Sequence, residues 1–243
     1  MSAGETDVAH LIGSSRLRAG ADDRRKDMEI LGWLEEFEPE VRDKWLAGAG
    51  VVRGLDRMVE SARRTGEWKL ENLEWAICAY LRGQWLSTHT GPIATMQEHD
   101  VMLRELGGGA FQLLPFLGEH WEAVADFGAL DQFWNNVRDL REDLDRGLCF
   151  FPQALLDEHR IFRGEILRGS AIGVTGWYTM LRWWLDVYAP RVRERARPFL
   201  GGTGLHPSWE RFRAECLRRH KRIELVFRAC EFDYLEFERR YWA

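Results

Sequence analysis

The chain has 243 residues, of which 45% are hydrophobic and 30% are charged, and these proportions are ordinary for a globular protein with a sizeable core. A formal net charge of −5 argues against nucleic acid as a partner, because a nucleic-acid-binding surface needs an excess of basic residues to neutralise phosphates. The four cysteines show neither the spacing of a zinc site nor the density of a disulfide scaffold, which favours reduced thiols in a cytoplasmic protein.

Apolar residues recur at helical spacing along most of the chain, with little of the alternation typical of strands, and this pattern predicts an all-α fold. The polar segment 1–15 is expected to be loose, and residues 16–243 are expected to form a single helical domain. The predicted helices are, in chain order, 22–38, 40–64, 70–86, 96–117, 121–146, 152–167, 173–199 and 208–241, the last with Ser208 as its N-cap. No run of about 18 apolar residues predicts a membrane span, and the first residues lack the apolar core of a signal peptide.

The most informative segment lies in the predicted helix 121–146. Asn135, Asp139 and Asp143 are spaced four residues apart, which places their side chains on one helical face. A row of two carboxylates and an amide offers only oxygen ligands, which suit Mg²⁺. Because Mg²⁺ usually completes its coordination shell with water and substrate phosphate, the row also predicts a phosphorylated substrate.

This segment resembles the second aspartate-rich motif of the squalene and phytoene synthase family. The residues that match the motif in order and spacing are Asn135, Arg138, Asp139, Glu142, Asp143, Arg146, Gly147 and Pro152. The resemblance implies a class I isoprenoid synthase-like helical bundle around a central apolar cavity. It also implies a transferase of isoprenoid biosynthesis that uses Mg²⁺ to ionise prenyl diphosphates of the farnesyl or geranylgeranyl class. Asn135, Asp139 and Asp143 would hold the metal and act in catalysis, with Arg138 and Arg146 binding the diphosphate.

Such chemistry needs a second acidic helix opposite the first, and the segment 22–27 offers one. Asp23 and Asp27 are four residues apart, and their distance from Asp139 is similar to the separation of the two motifs in the family. They are therefore candidate metal ligands. The basic residues between them, Arg24 to Lys26, also allow a surface salt-bridge cluster, and this alternative stays open.

The region between the two motifs is also similar to the family. Glu98 precedes the pair Gly107 and Gly108, which is expected to let two helices approach closely. The tyrosines of this family segment are replaced here by Met102 and Arg104. Arg104 is a candidate diphosphate ligand, because a guanidinium binds phosphate oxygens in a bidentate manner. An exposed helical arginine is the alternative.

Twelve tryptophans are present, and aromatic faces could stabilise an allylic cation and exclude water. Phe133, Trp134 and Trp177 are the candidates to line the substrate pocket, although aromatic residues at helical spacing are more often part of the core.

Three functions are compatible with these features. The first is head-to-head prenyl transfer as in squalene and phytoene synthases, and the second is a cyclase or lyase that acts on a single prenyl diphosphate, as in terpene synthases. The third is a non-catalytic relative that binds an isoprenoid. Peripheral contact with a membrane, which a greasy product would favour, and a homodimer both stay open.

Overall fold

The computed structural model describes residues 38–65, 68–89 and 91–243. Within these ranges 78% of the residues are helical and no strand is present, which confirms the all-α prediction. The candidate ligands Asp23 and Asp27, and the segment 1–15, lie outside the described residues. None of the described helices combines the length and the apolar composition that a membrane crossing requires. All four cysteines are free thiols.

Contacts divide the chain between Glu60 and Ser61 into two compact units. Of the first unit the structure describes residues 38–60, nearly all of them in the long helix α1 (Pro39–Thr65). The second unit contains the other described helices and all the candidate site residues that the structure describes. The single domain expected for residues 16–243 stays a prediction.

The helices of the second unit are mostly short. They are α2 (Leu70–His89), α3 (Met96–Leu103), α4 (Gly109–Gln112), α5 (Trp121–Arg138), α6 (Leu140–Asp145), α7 (Gln153–Glu158), α8 (Arg163–Leu167), α9 (Thr175–Trp183), α10 (Ala189–Arg195), α11 (Arg197–Leu200), α12 (Pro207–Ala229) and α13 (Tyr234–Trp242). A turn of π-helix, Arg104–Gly108, joins α3 to α4, and another, Trp184–Tyr188, joins α9 to α10. A 3-10 turn, Gly118–His120, precedes α5.

Two predicted helices are each divided by residues with a positive φ angle. Arg160, with φ of 54°, separates α7 from α8 within the predicted helix 152–167. Glu231 and Phe232, with φ of 51° and 62°, separate α12 from α13. A left-handed backbone cannot continue a right-handed helix. The apolar periodicity of the sequence gives no sign of these interruptions.

Side chains cap the first turns of several described helices, among them α3, α12 and α13. At the start of α3 the Thr95 hydroxyl accepts from the Glu98 N–H at 3.2 Å, while the Glu98 carboxylate accepts from the Ala94 N–H at 2.8 Å. This reciprocal cap fixes the entry of the chain into the helix. The prediction of Ser208 as the N-cap of α12 is wrong, because the helix begins at Pro207 and the His206 ring accepts from the Ser208 N–H at 3.2 Å.

Helix α5 runs through the core, and ten of its eighteen residues are buried. It packs very closely against the π-helical turn Arg104–Gly108. A Cβ atom on Gly107 would lie 2.2 Å from the carbonyl oxygen of Gly128, and one on Gly108 would lie 2.6 Å from that of Ala125. The glycine pair therefore permits the close approach that the sequence predicted, and it fixes the helix that carries the candidate site.

Candidate metal and diphosphate site

The row of Asn135, Asp139 and Asp143, called here the ladder, spans the junction of α5 and α6. The predicted continuous helix 121–146 is interrupted at Asp139, which has φ of −94° and ψ of 9°. The helical hydrogen bonds nevertheless continue across the junction. The Asp139 N–H donates to the Asn135 carbonyl at 2.8 Å, and the Asp143 N–H donates to the Asp139 carbonyl at 2.9 Å. The three side chains therefore keep the four-residue spacing that places them on one face.

The end of α6 fixes the last member of the ladder. Gly147 has a φ of 77°, a conformation that glycine adopts without steric cost. This turn lets the Leu148 N–H donate back to the Asp143 carbonyl at 2.8 Å, a typical way to end a helix. Gly147, one of the residues in the family resemblance, thus sets the backbone position of Asp143.

Two ladder side chains have oxygen atoms without a protein donor in the described part of the chain. The Asn135 Oδ1 atom is buried and accepts no hydrogen bond. The half-buried Asp143 carboxylate likewise makes no side-chain hydrogen bond with the described residues. Burial, together with the negative charges of Asp139 and Glu142, raises the pKa of Asp143 to about 7. A bound cation would relieve this unfavourable concentration of negative charge.

The third ladder residue, Asp139, is engaged by Arg138. The Arg138 Nε atom donates to Asp139 Oδ1 at 2.7 Å, and its Nη2 atom donates to Oδ2 at 2.6 Å. The two predicted diphosphate ligands therefore differ in their surroundings, because Arg146 instead pairs with Glu142 at 2.5 Å in an exposed position. Arg138 lies beside the ladder, whereas Arg146 lies at its solvent edge.

Arg104 is not brought to the ladder. Its Nε atom donates to Asp126 Oδ1 at 3.3 Å, and its guanidinium lies 4.0 Å from the Glu122 carboxylate. Asp126 precedes Asn135 by nine residues on α5, which corresponds to about 13 Å along a helix axis. The guanidinium is thus held at the other end of α5 by two acidic residues.

The three aromatic candidates are core residues in the structure. Phe133, Trp134 and Trp177 are only 1%, 6% and 0% exposed. Phe133 packs against Trp134, with ring centroids 5.1 Å apart, so these two rings lie together directly before Asn135. Trp177 donates from its indole nitrogen to the Phe232 carbonyl at 3.0 Å, which gives it a structural role at the α12–α13 junction.

A pocket of about 940 Å³ in the second unit is lined by residues from the segments 65–72, 114–121 and 204–206. Neither the ladder nor Phe133, Trp134 or Trp177 contributes to its walls. The central apolar cavity beside the ladder stays a prediction.

Asp131 is a polar residue of this region that the sequence analysis missed. It lies four residues before Asn135, so it extends the ladder by one step, and it is only 3% exposed. Its carboxylate accepts from His220 Nε2 at 2.7 Å and from Arg219 Nη2 at 2.5 Å, both on α12. These donors hold the pKa of Asp131 below its usual value, although burial acts in the opposite direction. The continued four-residue spacing was the signal that could have identified it.

The ladder alone does not form a complete metal cage. Among residues 38–65, 68–89 and 91–243 no group of three or more His, Cys, Asp or Glu side chains is arranged to hold a metal ion. The oxygen atoms of Asn135 and Asp143 fit a hard cation, and those of Asp139 would fit one after Arg138 moves. Within the described residues, further ligands would have to come from substrate or from water.

Comparisons with known proteins found no match, whether with protein families, with curated proteins or with solved structures.

Proposed function

We propose that this protein is a Mg²⁺-dependent class I isoprenoid synthase that ionises prenyl diphosphates and joins them head to head. The observation that carries the proposal is the ladder itself. Asn135, Asp139 and Asp143 keep helical spacing across a helix junction, and two of them have oxygen atoms without a protein donor among the described residues. Carboxylate and amide oxygens on one face suit a hard cation that shares its coordination shell with a phosphorylated substrate.

The proposed roles follow from the charges. Mg²⁺, when bound, would neutralise the negative charge that develops on the departing diphosphate. Asp143 and Asn135 would hold it, and Asp139 would join them once released by Arg138. The freed Arg138 guanidinium could then donate to phosphate oxygens, with the geometry that it now uses toward the carboxylate. Arg146, exposed at the edge, would reach a diphosphate only by leaving Glu142.

The apolar surroundings support the same proposal. An allylic cation reacts with water unless it is kept in a dry site, and aromatic faces stabilise its positive charge. Phe133 and Trp134 are nearly fully buried and directly precede Asn135 in sequence. They would shield the prenyl chain, whereas Trp177 would support the fold.

A second candidate is a non-catalytic relative that binds an isoprenoid. It is favoured by the hydrogen bonds of Asp139, because both of its carboxylate oxygens accept from Arg138 and neither is free to bind a cation. It is also favoured by the dense packing of Phe133 and Trp134, which are only 1% and 6% exposed. This candidate predicts that a prenyl diphosphate binds without release of diphosphate.

The test is to incubate the protein with Mg²⁺ and geranyl, farnesyl or geranylgeranyl diphosphate, and to measure diphosphate release and identify the extracted products. A product with a doubled carbon skeleton supports head-to-head transfer. A product of unchanged carbon number would instead indicate a cyclase or lyase, and the absence of diphosphate release with every substrate would refute the enzymatic proposal.

Variants connect the activity to the ladder. Asp139→Asn and Asp143→Asn should each lower the rate of diphosphate release about a hundredfold or more, because Lewis-acid stabilisation contributes several kcal/mol. Asp145→Asn is the matched control, since Asp145 lies in the same helix but pairs with Arg141 at 2.9 Å and is half exposed. Equal rates in all three variants would remove the ladder from the mechanism.

A further inference from the structure

The carboxylate of Asp131 is fully engaged by protein donors. Its Oδ1 atom accepts from His220 Nε2 and Arg219 Nη2, and its Oδ2 atom accepts from the Asn135 side-chain amide at 3.3 Å. Asp131 is also almost completely buried. It is therefore not available as a cation ligand, although it continues the ladder by one helical step.

The contact between Asp131 and Asn135 determines which way the Asn135 amide faces. A carboxylate can only accept hydrogen bonds, so it binds the NH₂ end of the amide and not the carbonyl end. The Asn135 Oδ1 atom is consequently directed away from Asp131, and it is the oxygen that is buried without a donor in the described chain. Cations coordinate the oxygen of an asparagine, so this orientation is the one that makes Asn135 a ligand.

The two residues that donate to Asp131 Oδ1, His220 and Arg219, lie 89 and 88 residues further along the chain. His220 is 2% exposed, and its ring stacks against Trp134 with centroids 6.1 Å apart. Arg219, on the same helix α12, donates to the same carboxylate oxygen as His220. The two donors fix the carboxylate of Asp131 and leave its other oxygen for Asn135.

We propose that Asp131 is a positioning residue for the metal site, which presents the carbonyl oxygen of Asn135 to the divalent cation. The proposal rests on the proposed function of the ladder and adds to it the residue that fixes one ligand. Groups that hydrogen-bond to metal ligands commonly orient those ligands toward the metal, and their loss weakens metal binding about tenfold to a hundredfold.

The substitution Asp131→Asn tests the proposal with almost no change of shape. The new amide oxygen would take the donors from His220 and Arg219, which leaves its NH₂ group facing the NH₂ group of Asn135. Asn135 would avoid this clash by turning over, and its NH₂ group would then face the cation. We expect Mn²⁺ affinity, measured from the electron paramagnetic resonance signal of free Mn²⁺, to fall about tenfold or more.

The double variant Asp131→Asn with Asn135→Asp separates positioning from a merely structural role. The carboxylate introduced at position 135 would accept from the amide introduced at position 131 with one oxygen and offer the other to the cation. Mn²⁺ affinity should therefore return at least to the native value. In the native background Asn135→Asp should give no such gain, because two carboxylates would then face each other. The two substitutions should therefore be strongly non-additive.

The controls separate failure of the proposed function from failure of the positioning role of Asp131. Asp145→Asn removes one negative charge from α6 and should leave Mn²⁺ affinity within about twofold of the native value, since surface charges act weakly. If native protein binds no Mn²⁺, the proposed function fails and this inference fails with it. If native protein binds Mn²⁺ but Asp131→Asn binds it equally well, or the two substitutions are additive, only the positioning role is overturned.

Circular dichroism and thermal unfolding show whether each variant is folded. Should Asp131→Asn be unfolded, Arg219→Met removes one donor from Asp131 at a partly exposed position. It should weaken Mn²⁺ binding in the same direction but by a smaller factor, and native affinity in that variant would count against the proposal.

Discussion

Arg138 binds both carboxylate oxygens of the residue that follows it, Asp139, through hydrogen bonds of 2.7 and 2.6 Å. Bidentate pairs of this kind are strong and have a well-defined geometry. The pair lies at the centre of the ladder and its side chains are only 22% and 27% exposed. Asp139 is thus closed to a cation in this conformation, and the competition between arginine and cation can be measured.

Removing this competition should strengthen cation binding. We expect Arg138→Met to raise Mn²⁺ affinity about tenfold, because a hydrogen bond to a charged group contributes roughly 1.5–3 kcal/mol and a repelling positive charge is lost. The same variant should bind prenyl diphosphate more weakly, which a rise in KM would report. Arg141→Met is the control, since Arg141 forms an ordinary pair with Asp145 in the same helix. Unchanged Mn²⁺ affinity in Arg138→Met would show that Asp139 is not a ligand.

The Asp143 carboxyl should make stability depend on pH in metal-free protein. Burial and the charges of Asp139 and Glu142 raise its pKa from 3.8 to about 7. The raised pKa stabilises the folded protein relative to the unfolded chain fully below pH 3.8, and this stabilisation is lost as the pH rises through about 7. At about pH 8 the ionised group is unfavourable, so Asp143→Asn should increase the free energy of unfolding by about 1–2 kcal/mol, a value reduced for solvent screening.

Urea unfolding of native protein and Asp143→Asn with a chelator present, at about pH 5 and about pH 8, measures this difference. The gain should be larger at the higher pH. A native protein with equal stability at both values, and no gain in the variant, would contradict the raised pKa.

The local features of the site were predictable from the sequence. Helical class, the four-residue spacing along the ladder from Asn135 to Asp143, and the close approach at Gly107 all depend on residues near one another in the chain. Periodicity and residue size report such features directly. The ladder therefore keeps its spacing across the unpredicted interruption at Asp139, because the hydrogen bonds on both sides of it remain helical.

The partners of the site residues were not predictable in the same way. Arg219 and His220 bind Asp131 across 88 and 89 residues of sequence, and a single sequence gives no signal for such a contact. Arg104 was expected at a diphosphate, but the packing of the π-helical turn directs it to Asp126 instead. A sequence shows which charged residues could form pairs, but the packing of the helices determines which pairs form.

The close approach of α5 to the π-helical turn predicts a large loss of stability from a small substitution. A Cβ atom on Gly128 would lie 2.3 Å from the Gly107 carbonyl oxygen, which is backbone and cannot rotate away. Gly128→Ala should therefore lower the free energy of unfolding by about 3 kcal/mol. Gly48→Ala is the control, because Gly48 is an exposed helical glycine with no atom within 4 Å of the added carbon, and it should gain about 0.5–1 kcal/mol. Urea unfolding of both variants should give changes of opposite sign.

The second π-helical turn is fixed by a buried hydroxyl. Tyr188 is 3% exposed and donates to Asp100 Oδ1 at 2.6 Å, while its oxygen lies 2.8 Å from His99 Nδ1. Because the hydroxyl proton is directed to Asp100, His99 donates from Nδ1 to the tyrosine oxygen. Tyr188 also packs against Phe133, with centroids 5.7 Å apart, so the network supports this buried ring of α5.

Tyr188→Phe should lower the free energy of unfolding by about 1–3 kcal/mol, because it leaves the buried His99 N–H without an acceptor. Burial lowers the pKa of His99 to about 3, so the ring stays neutral in the folded protein and the loss should be the same from about pH 6 to about pH 8. Tyr178→Phe is the matched control, since the Tyr178 hydroxyl makes no hydrogen bond within the described part of the chain. If urea unfolding gives the two variants the same stability, the hydrogen bonds of Tyr188 do not stabilise the π-helical turn. If only Tyr188→Phe is destabilised, the Tyr188 hydroxyl stabilises this turn and, through it, the packing of Tyr188 against Phe133.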